Sequence, residues 1–380
     1  MLYNDFGRTG IKMSALGFGA MRLPMIGEGD ARQVNDELAI PMMHKAFESG
    51  VNYIDTAPGY CDRKSEGAVG RALKGWRDKV YVSTKNPIEN DSADDWMKRL
   101  ENSLKQLDID YIDFYHLWGI NLKSFERWQG LKDGPLQAAE RAKQQGLIKY
   151  LSFSYHDSAG NFRPIVDSGL FSSVLIQYNL LDRSNEDNLA YAKEKGLGVV
   201  VMGPVGGGRL GAPSDLIRGL LKEKPASTAE MAMRFVLANE NVAVALSGMS
   251  TIGMVIENAA VASKGGRLTE TELEHIVKMM DENKKLAQLY CTACNYCMDK
   301  EDPCPAKINI PYLFGLMNNH RVYGLTEHSK LAYGQALRGE SWQKSASPDD
   351  CTACGKCEDK CPQKLPIIEQ LKETHKALYA

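Results

Sequence analysis

Two cysteine runs near the end of the chain, Cys291-x2-Cys294-x2-Cys297-x6-Cys304-Pro305 and Cys351-x2-Cys354-x2-Cys357-x3-Cys361-Pro362, constrain its fold more than any other feature. They supply eight thiols in two groups of four. Two-residue spacers let three successive sulfurs of one tight loop face inward, and a fourth sulfur from elsewhere completes the soft donor set that a cubane cluster needs. The spacing therefore predicts two [4Fe-4S] clusters. Structural zinc would want two Cys-x2-Cys knuckles and has no use for a third cysteine followed by Cys-Pro. Disulfides would need an oxidising compartment, and Met1 to Gly10 are polar, unlike a signal peptide. The expected setting is a reducing, low-oxygen cytoplasm.

The runs resemble those of two-cluster ferredoxins, in which the fourth cysteine of each run serves the other cluster. That resemblance implies one cluster on Cys291, Cys294, Cys297 and Cys361, and another on Cys351, Cys354, Cys357 and Cys304. The second run matches the pattern fully, whereas the first has a longer final spacer. Between the runs, Ile310-Asn319 and Glu327-Leu337 read as helices with short apolar faces, so this ferredoxin-like domain is expected to be mostly helical. Tyr333 and Trp342 are read as volume-filling core residues rather than electron relays.

At 380 residues and 43% hydrophobic content, the chain exceeds what one core usually accommodates, which points to a large domain and a small one. Eight of the nine cysteines lie beyond residue 290, placing the boundary near 285: a barrel over 1–285 and a cluster domain over 286–380. The formal charge is -2, with no basic stripe, which argues against nucleic acid as a partner. No run is long and apolar enough to span a membrane. In the first 285 residues, short apolar runs alternate with charged helical stretches about every 30 residues, the repeat of a strand-helix unit. The expected strands are Ala15-Ala20, Val51-Ile54, Val80-Thr84, Tyr111-His116, Tyr150-Phe153, Val174-Gln177, Gly198-Met202 and Val242-Leu246. Eight such units fit a closed (β/α)8 barrel. Helices are expected over Glu37-Ser49, Asp94-Leu107, Leu136-Gln145 and Thr228-Asn239, with Gly50, Gly146 and Gly196 as C-caps. Thr269 and Glu272 form a capping box that opens a further helix to about Lys285. An open doubly wound sheet is disfavoured by the lack of a Gly-x-Gly-x-x-Gly fingerprint; Gly17-Phe18-Gly19 is read as a tight turn.

Polar groups at the C-terminal ends of barrel strands point into the reaction pocket. Four stand in order: Asp55 closing Tyr53-Ile54-Asp55-Thr56-Ala57, Tyr60 in the following loop, Lys85 closing Val82-Ser83-Thr84-Lys85, and His116 closing Asp113-Phe114-Tyr115-His116. In these residues the chain resembles the aldo-keto reductase family over residues 1–285. The resemblance implies an oxidoreductase that interconverts a carbonyl and an alcohol, with Asp55, Tyr60, Lys85 and His116 as its catalytic tetrad. The chemistry suits these types. A phenol near pKa ~10 is a poor acid at neutral pH unless a cation favours its phenolate. Lys85 would be that cation, Asp55 would hold it charged, and His116 would aim the substrate oxygen at Tyr60.

The resemblance also implies a nicotinamide cofactor across the barrel mouth. Ser154 and Gln177 match residues that hold the carboxamide, and Glu257 and Asn258 match a pair near the adenine. Gly206, Gly208 and Arg209 are placed to meet a pyrophosphate. Four positions depart from the pattern: Tyr155 for an asparagine, Met202 for a stacking aromatic, and Gly248 and Met254 for the lysine and arginine that hold a 2'-phosphate. NAD(P)H binding is weakened accordingly. Nicotinamide passes an electron pair whereas a cluster passes single electrons, so a flavin is the alternative, its phosphate at Gly206-Arg209 and Ser250-Thr251. Three schemes follow: clusters feeding a flavin or substrate, structural clusters beside nicotinamide chemistry, or an inactive barrel scaffolding a ferredoxin-like carrier. A small carbonyl or alcohol substrate and a ferredoxin or flavodoxin electron partner are implied. Cys61 reads as a packing residue, His156 as a substitute polar contact, Trp118 as a pocket wall, and Arg22 as a loop arginine facing the mouth.

Overall fold

The structure is a computed structural model, and it describes residues 1–288, 290–298 and 303–379. Eight parallel strands close a barrel: β1 (Leu16–Gly19), β2 (Tyr53–Asp55), β3 (Tyr81–Asn86), β4 (Ile112–Ile120), β5 (Ile148–Tyr155), β6 (Ser173–Gln177), β7 (Gly198–Met202) and β8 (Val244–Ser247). Each strand pairs with its sequence neighbours, and β8 returns to β1 through Ala245↔Leu16 and Leu246↔Gly17. All eight expected strands are present. Strand β4 runs four residues past the expected His116, with a register irregularity between Leu117 and Ile120. Such a bulge bends a strand where a site needs a side chain re-aimed.

Gly17 and Gly19 belong to strand β1, not to a tight turn. A Cβ on Gly17 would stand 2.8 Å from Val244 Cγ1 and 3.0 Å from the Tyr53 ring, so glycine here gives the neighbouring strands' side chains room inside the barrel. The bottom of the barrel is closed by an N-terminal hairpin, Tyr3–Asp5 with Lys12–Ser14, absent from the sequence reading. Its loop inserts Phe6, fully buried, edge-on to Phe114 at 4.9 Å. Gly198, opening β7, is what admits that ring: a Cβ there would lie 2.6 Å from it. Outside the barrel, helix Ala93–Leu107 shows why these segments are helices: Ser92 caps its N-terminus by accepting from the Asp95 N–H (3.2 Å), and an apolar stripe including Trp96, Leu100 and Leu107 is buried. Helices Ser65–Ala72, Leu122–Gln129, Phe162–Asp167, Glu186–Glu194 and Ile252–Lys264 were not anticipated.

The chain divides into two compact units, 1–206 with 232–268, and 207–231 with 269–380. This differs from the single break expected near 285. The segment after β7 groups with the C-terminal unit, where Ser214 donates to the Tyr323 carbonyl at 2.7 Å. Helix Glu270–Gln288 does so too, opened by the expected Thr269/Glu272 capping box at 2.8 and 3.2 Å. The C-terminal unit is mainly helical, with Ile310–Tyr323, Thr326–Leu337 and Ile367–Leu378 around a core that includes Phe314, Tyr333 and Leu371. Tyr333 is buried and bonded to His375 at 2.7 Å, but Trp342 is 89% exposed, so it fills no core. It lies in a polar loop, Glu340 to Lys344, that offers no apolar partner. Among the described residues, no helix is long and apolar enough to cross a membrane.

If the Phe6 plug closes the barrel, Phe6→Ala should cost about 3 to 5 kcal/mol of barrel stability. Chemical denaturation followed by far-ultraviolet circular dichroism checks this; a loss below about 1 kcal/mol would show the hairpin to be dispensable.

Candidate functional site

Strand alternation decides which side chains enter the barrel. On β2 and β3, Tyr53 and Asp55 share one face with Ser83 and Lys85, and the register pairs Asp55 with Ser83 and Lys85 with His116. Three of the four candidate catalytic residues are thereby brought together by sheet geometry alone. Lys85 Nζ donates to Asp55 Oδ2 at 2.6 Å and to the Thr56 carbonyl at 2.8 Å, and Ser83 Oγ donates to Asp55 Oδ1 at 2.9 Å. Asp55, Ser83, Lys85 and His116 are each at most 1% exposed. Tyr60 arrives from the loop after β2, where Cys61, Asp62 and Arg63 all take left-handed backbone (φ 50°, 53° and 66°). Three consecutive non-glycine residues in that region are costly and mark a turn held by its surroundings. The Tyr60 ring lies 4.7 Å from Lys85 Nζ and edge-on to Trp118 at 6.0 Å. Trp118 also lines a cavity of about 960 Å³ with Gly59, Arg99 and Gln106.

Burial dominates the electrostatics here. It lowers the affinity of Lys85 for a proton, but Asp55 and Tyr60 overcome this and hold the ammonium above its ordinary pKa. Burial pushes the Asp55 carboxyl up, opposed by Lys85 and Ser83. With two short bonds to its oxygens, one from a cation, the pair is an ion pair at neutral pH. The Tyr60 phenol is raised by burial, and the opposing pull of Lys85 does not outweigh it. That corrects the expected depression: desolvation of the phenolate exceeds the cation's field because Asp55 already neutralises much of it. Burial and Lys85 push His116 down to about 3, so the ring is neutral. Neither ring nitrogen has a partner at hydrogen-bonding geometry; the backbone of Phe153 is the nearest compensation. A buried neutral imidazole with both nitrogens unmet is a candidate donor to a ligand oxygen.

The candidate cofactor residues are spread over both units. Ser154 faces inward and accepts from the Gly119 N–H at 2.8 Å, keeping its own hydroxyl proton for a ligand. Tyr155, next along β5, faces outward, stacked edge-on to Phe162 at 5.0 Å and bonded to the Ser158 carbonyl. Alternation thus takes it away from the barrel interior. Gln177 ends β6 with its amide against Gly203, and half-buried Met202, ending β7, packs on the core cluster that includes Leu175, Val200 and Leu246. Asn258 is buried and donates to Ser247 Oγ at 3.1 Å, while Glu257 is half-buried. Ser250 turns to Met254 Sδ at 3.6 Å, and Thr251 caps helix Ile252–Lys264. Gly248 is packed by the Arg22 side chain, 3.4 Å from where a Cβ would stand. Gly206 ends the first segment of the barrel unit, whereas Gly207 (φ 67°), Gly208 (φ 97°) and Arg209 belong to the other. His156 is exposed, and Cys61 is half-buried with its thiol on the Ala20 and Met21 carbonyls at 3.6 and 3.5 Å.

In the C-terminal unit the eight cysteines line two cavities. One is bounded by Cys291, Cys294, Cys297 and Cys361 with Phe314 and Ile367; the other by Cys304, Cys351, Cys354 and Cys357 with Ile308 and Leu371. Cys297 borders both. The grouping is the crossed one. The two runs also repeat each other's backbone: Ala293 and Ala353 take φ 55° and 53°, Asn295 and Gly355 66° and 77°, Lys307 and Lys364 57° and 53°. This internal repeat, legible in the shared Cys-Thr-Ala-Cys and Cys-Pro-x-Lys, was not recognised from the sequence. The sulfurs ring their cavities rather than converge: among the described residues no three His, Cys, Asp or Glu side chains form a group fit for a single ion. Four thiols around an apolar hollow suit a cubane, whose ligands stand apart around a four-iron core.

Comparison with known proteins agrees with both halves. Residues 15–281 match the aldo/keto reductase family, and residues 290–365 match a 4Fe-4S dicluster domain. L-galactose dehydrogenase of Arabidopsis thaliana is 28% identical over 68% of this chain and 87% of its own. An uncharacterized oxidoreductase of Bacillus subtilis is 28% identical over 72% of this chain and 95% of its own. Among solved structures, the holo form of an aldo-keto reductase from Bacillus halodurans superposes with a TM-score of 0.63 at 29% identity, covering 73% of this chain and 96% of that one. The chain belongs to the aldo/keto reductase family and is an oxidoreductase with a 4Fe-4S dicluster domain.

Two outcomes follow. His116 titrates lower in the folded protein than unfolded, so its neutral form contributes stability that is complete above the unfolded pKa near ~6.5 and is lost as pH falls from there toward 3. His116→Gln should therefore lose stability less steeply than the parent between pH 6 and 4, by up to ~1.4 kcal/mol per unit; parallel denaturation curves would contradict a buried neutral imidazole. Cys361→Ser should alter the cluster spectrum attributable to the Cys291 run and spare the other. Electron paramagnetic resonance damage confined to the Cys351 run would refute the crossed grouping.

Proposed function

We propose that the barrel interconverts a small carbonyl compound and its alcohol, with Tyr60 as proton donor and acceptor, and that the cysteine runs carry two [4Fe-4S] clusters in crossed ligation. The observation that carries this reading is the buried Lys85–Asp55 pair behind Tyr60, facing a neutral His116 with no partner for its nitrogens. A nicotinamide, when bound, supplies hydride to the carbonyl carbon. The chain's own residues handle the oxygen. His116 donates an N–H to the substrate oxygen and sets its position, which a neutral ring can do without a competing charge.

Tyr60, kept as a phenol by burial, passes its proton to that oxygen as negative charge develops there. Lys85 stabilises the phenolate left behind, and Asp55 keeps the ammonium from turning away. The reverse steps serve alcohol oxidation. Ser154 and Gln177 are the groups that would hold a carboxamide. The positions expected to clasp a 2'-phosphate, Gly248 and Met254, offer no charge, which favours NADH over NADPH. In a reducing cytoplasm, a ferredoxin or flavodoxin would exchange single electrons with the clusters.

The test is anaerobic purification with iron and sulfide analysis, followed by turnover of p-nitrobenzaldehyde with NADH and NADPH. About eight irons per chain and saturable NADH binding support the proposal. Tyr60→Phe should lower kcat about 10²- to 10⁴-fold with cluster absorbance unchanged. Undiminished turnover in that variant would remove Tyr60 from the chemistry.

A further inference from the structure

The tetrad accounts for one oxygen of Asp55 and leaves the other to explain. A carboxylate can rotate about its Cβ–Cγ bond, and only one orientation puts Oδ2 on Lys85. Asp55 Oδ1 is held by Ser83, its register partner on β3, and both side chains are buried on the inner face of the barrel. Ser83 is itself fixed, because its carbonyl accepts the Thr56 N–H at 2.9 Å, and the Thr56 carbonyl in turn accepts from Lys85. The two strand ends therefore lock each other through backbone and side chain at once.

Beneath them lies a group the mechanism leaves unused. Tyr53, two residues before Asp55 and fully buried, has a hydroxyl with no partner at hydrogen-bonding geometry, yet Ser83 and Asp55 are close enough to act on it. Ser83 has spent its one proton on Asp55, so only its lone pairs face other groups. Tyr53 can only donate toward it. The inner face thus presents an ordered series of Tyr53, Ser83, Asp55, Lys85 and Tyr60.

Resting on the proposed role of Tyr60, we propose that Ser83 is a positioning residue for proton transfer: its hydroxyl fixes the rotation of the Asp55 carboxylate and disperses its charge. A carboxylate that loses this donor concentrates charge on the oxygen facing Lys85. The ammonium is then more fully neutralised, and its field at Tyr60 weakens. The phenol should become a weaker acid without any change in the substrate pocket.

The experiment compares pH profiles of kcat and kcat/KM for p-nitrobenzaldehyde reduction by the cluster-loaded parent, Ser83→Ala, Ser83→Thr and Tyr53→Phe. Ser83→Ala should move the alkaline limb of kcat upward by roughly half to one unit and lower kcat about 5- to 20-fold, leaving KM within about twofold. Ser83→Thr, which keeps the hydroxyl on a strand-compatible side chain, should restore the parent limb. Tyr53→Phe, which removes a hydroxyl with no hydrogen bond to Ser83, should leave the parent limb in place. An unmoved limb in Ser83→Ala, or a Ser83→Thr profile identical to that of Ser83→Ala, overturns the proposal. Tyr60→Phe run alongside separates the two levels: if it keeps parent activity, the role of Tyr60 has failed, and with it the basis of the inference about Ser83. Melting curves of each variant exclude misfolding as the source of a shift.

Discussion

The ion pair between Lys85 and Asp55 is the constraint around which the barrel mouth is organised. Two opposite charges out of water lose several kcal/mol of solvation each, and their attraction offsets that only with good geometry and every remaining donor and acceptor matched. The structure meets the condition for both carboxylate oxygens and for two of the three ammonium protons. Lys85 reaches one carboxylate oxygen and the Thr56 carbonyl, and Ser83 takes the other oxygen. Each of these groups sits on β2, β3 or the residue following β2, so the register of two strands does the arranging. A one-residue slip would turn Asp55 and Lys85 toward the helices and leave charges buried without partners. Burial sets the state of the pair's neighbours: it keeps Tyr60 a phenol against the pull of Lys85, and together with Lys85 it keeps His116 a neutral imidazole.

The C-terminal unit is organised by a different constraint. Its core includes Ile310, Phe314, Tyr333 and Leu371, and the cysteines of both runs pack against it. Thiols with nothing between them would leave two hollows in that core. Burial raises Cys291, Cys297 and Cys357 above their ordinary thiol range, Cys297 and Cys357 to about 11. As free thiols they are protonated and inert at neutral pH. A metal cluster reverses that balance, since binding requires thiolates and releases protons.

What was legible in the sequence follows from period and spacing. Eight apolar runs at regular intervals are enough to place eight strands, and polar residues ending them find Asp55, Lys85 and His116 because strand ends are read directly from pattern. Cys361 lines one cavity with the Cys291 run and Cys304 the other with the Cys351 run, the arrangement that the resemblance to two-cluster ferredoxins implies. Other features resisted for physical reasons. The N-terminal hairpin is short and alternates weakly, and its anchor, Phe6, is recognisable only once Gly198 is seen to admit it. Gly17 resembles a turn glycine until Val244 is brought beside it by closure of the barrel. The segment 207–231 sits between two barrel elements in sequence, and only tertiary contact assigns it to the C-terminal unit. Trp342 reads as a core residue by type, but its polar flanks, Glu340 to Lys344, leave it exposed. The sign of the Tyr60 shift depends on how much field Asp55 cancels, a matter of distances no sequence states.

Electron counting then limits how the two halves can be chemically related. The proposed tetrad would manage protons only: Tyr60, Lys85, Asp55 and His116 contain no group that stores an electron. The proposed hydride chemistry would move electrons in pairs, and a cubane accepts one at a time, so two such clusters would together hold one hydride equivalent. Equal stoichiometry does not make the two interconvertible, because splitting a pair requires a carrier with a stable one-electron state. At the expected flavin phosphate site the Ser250 hydroxyl is turned to Met254 Sδ, while Thr251 accepts from the Met254 N–H in a helix cap and keeps its own hydroxyl proton. If the chain relies on nicotinamide alone, barrel turnover must be indifferent to the oxidation state of the clusters. Coupling between them would then require the substrate itself to pass through a radical, which confines a coupled reaction to substrates whose one-electron-reduced form is stabilised by conjugation.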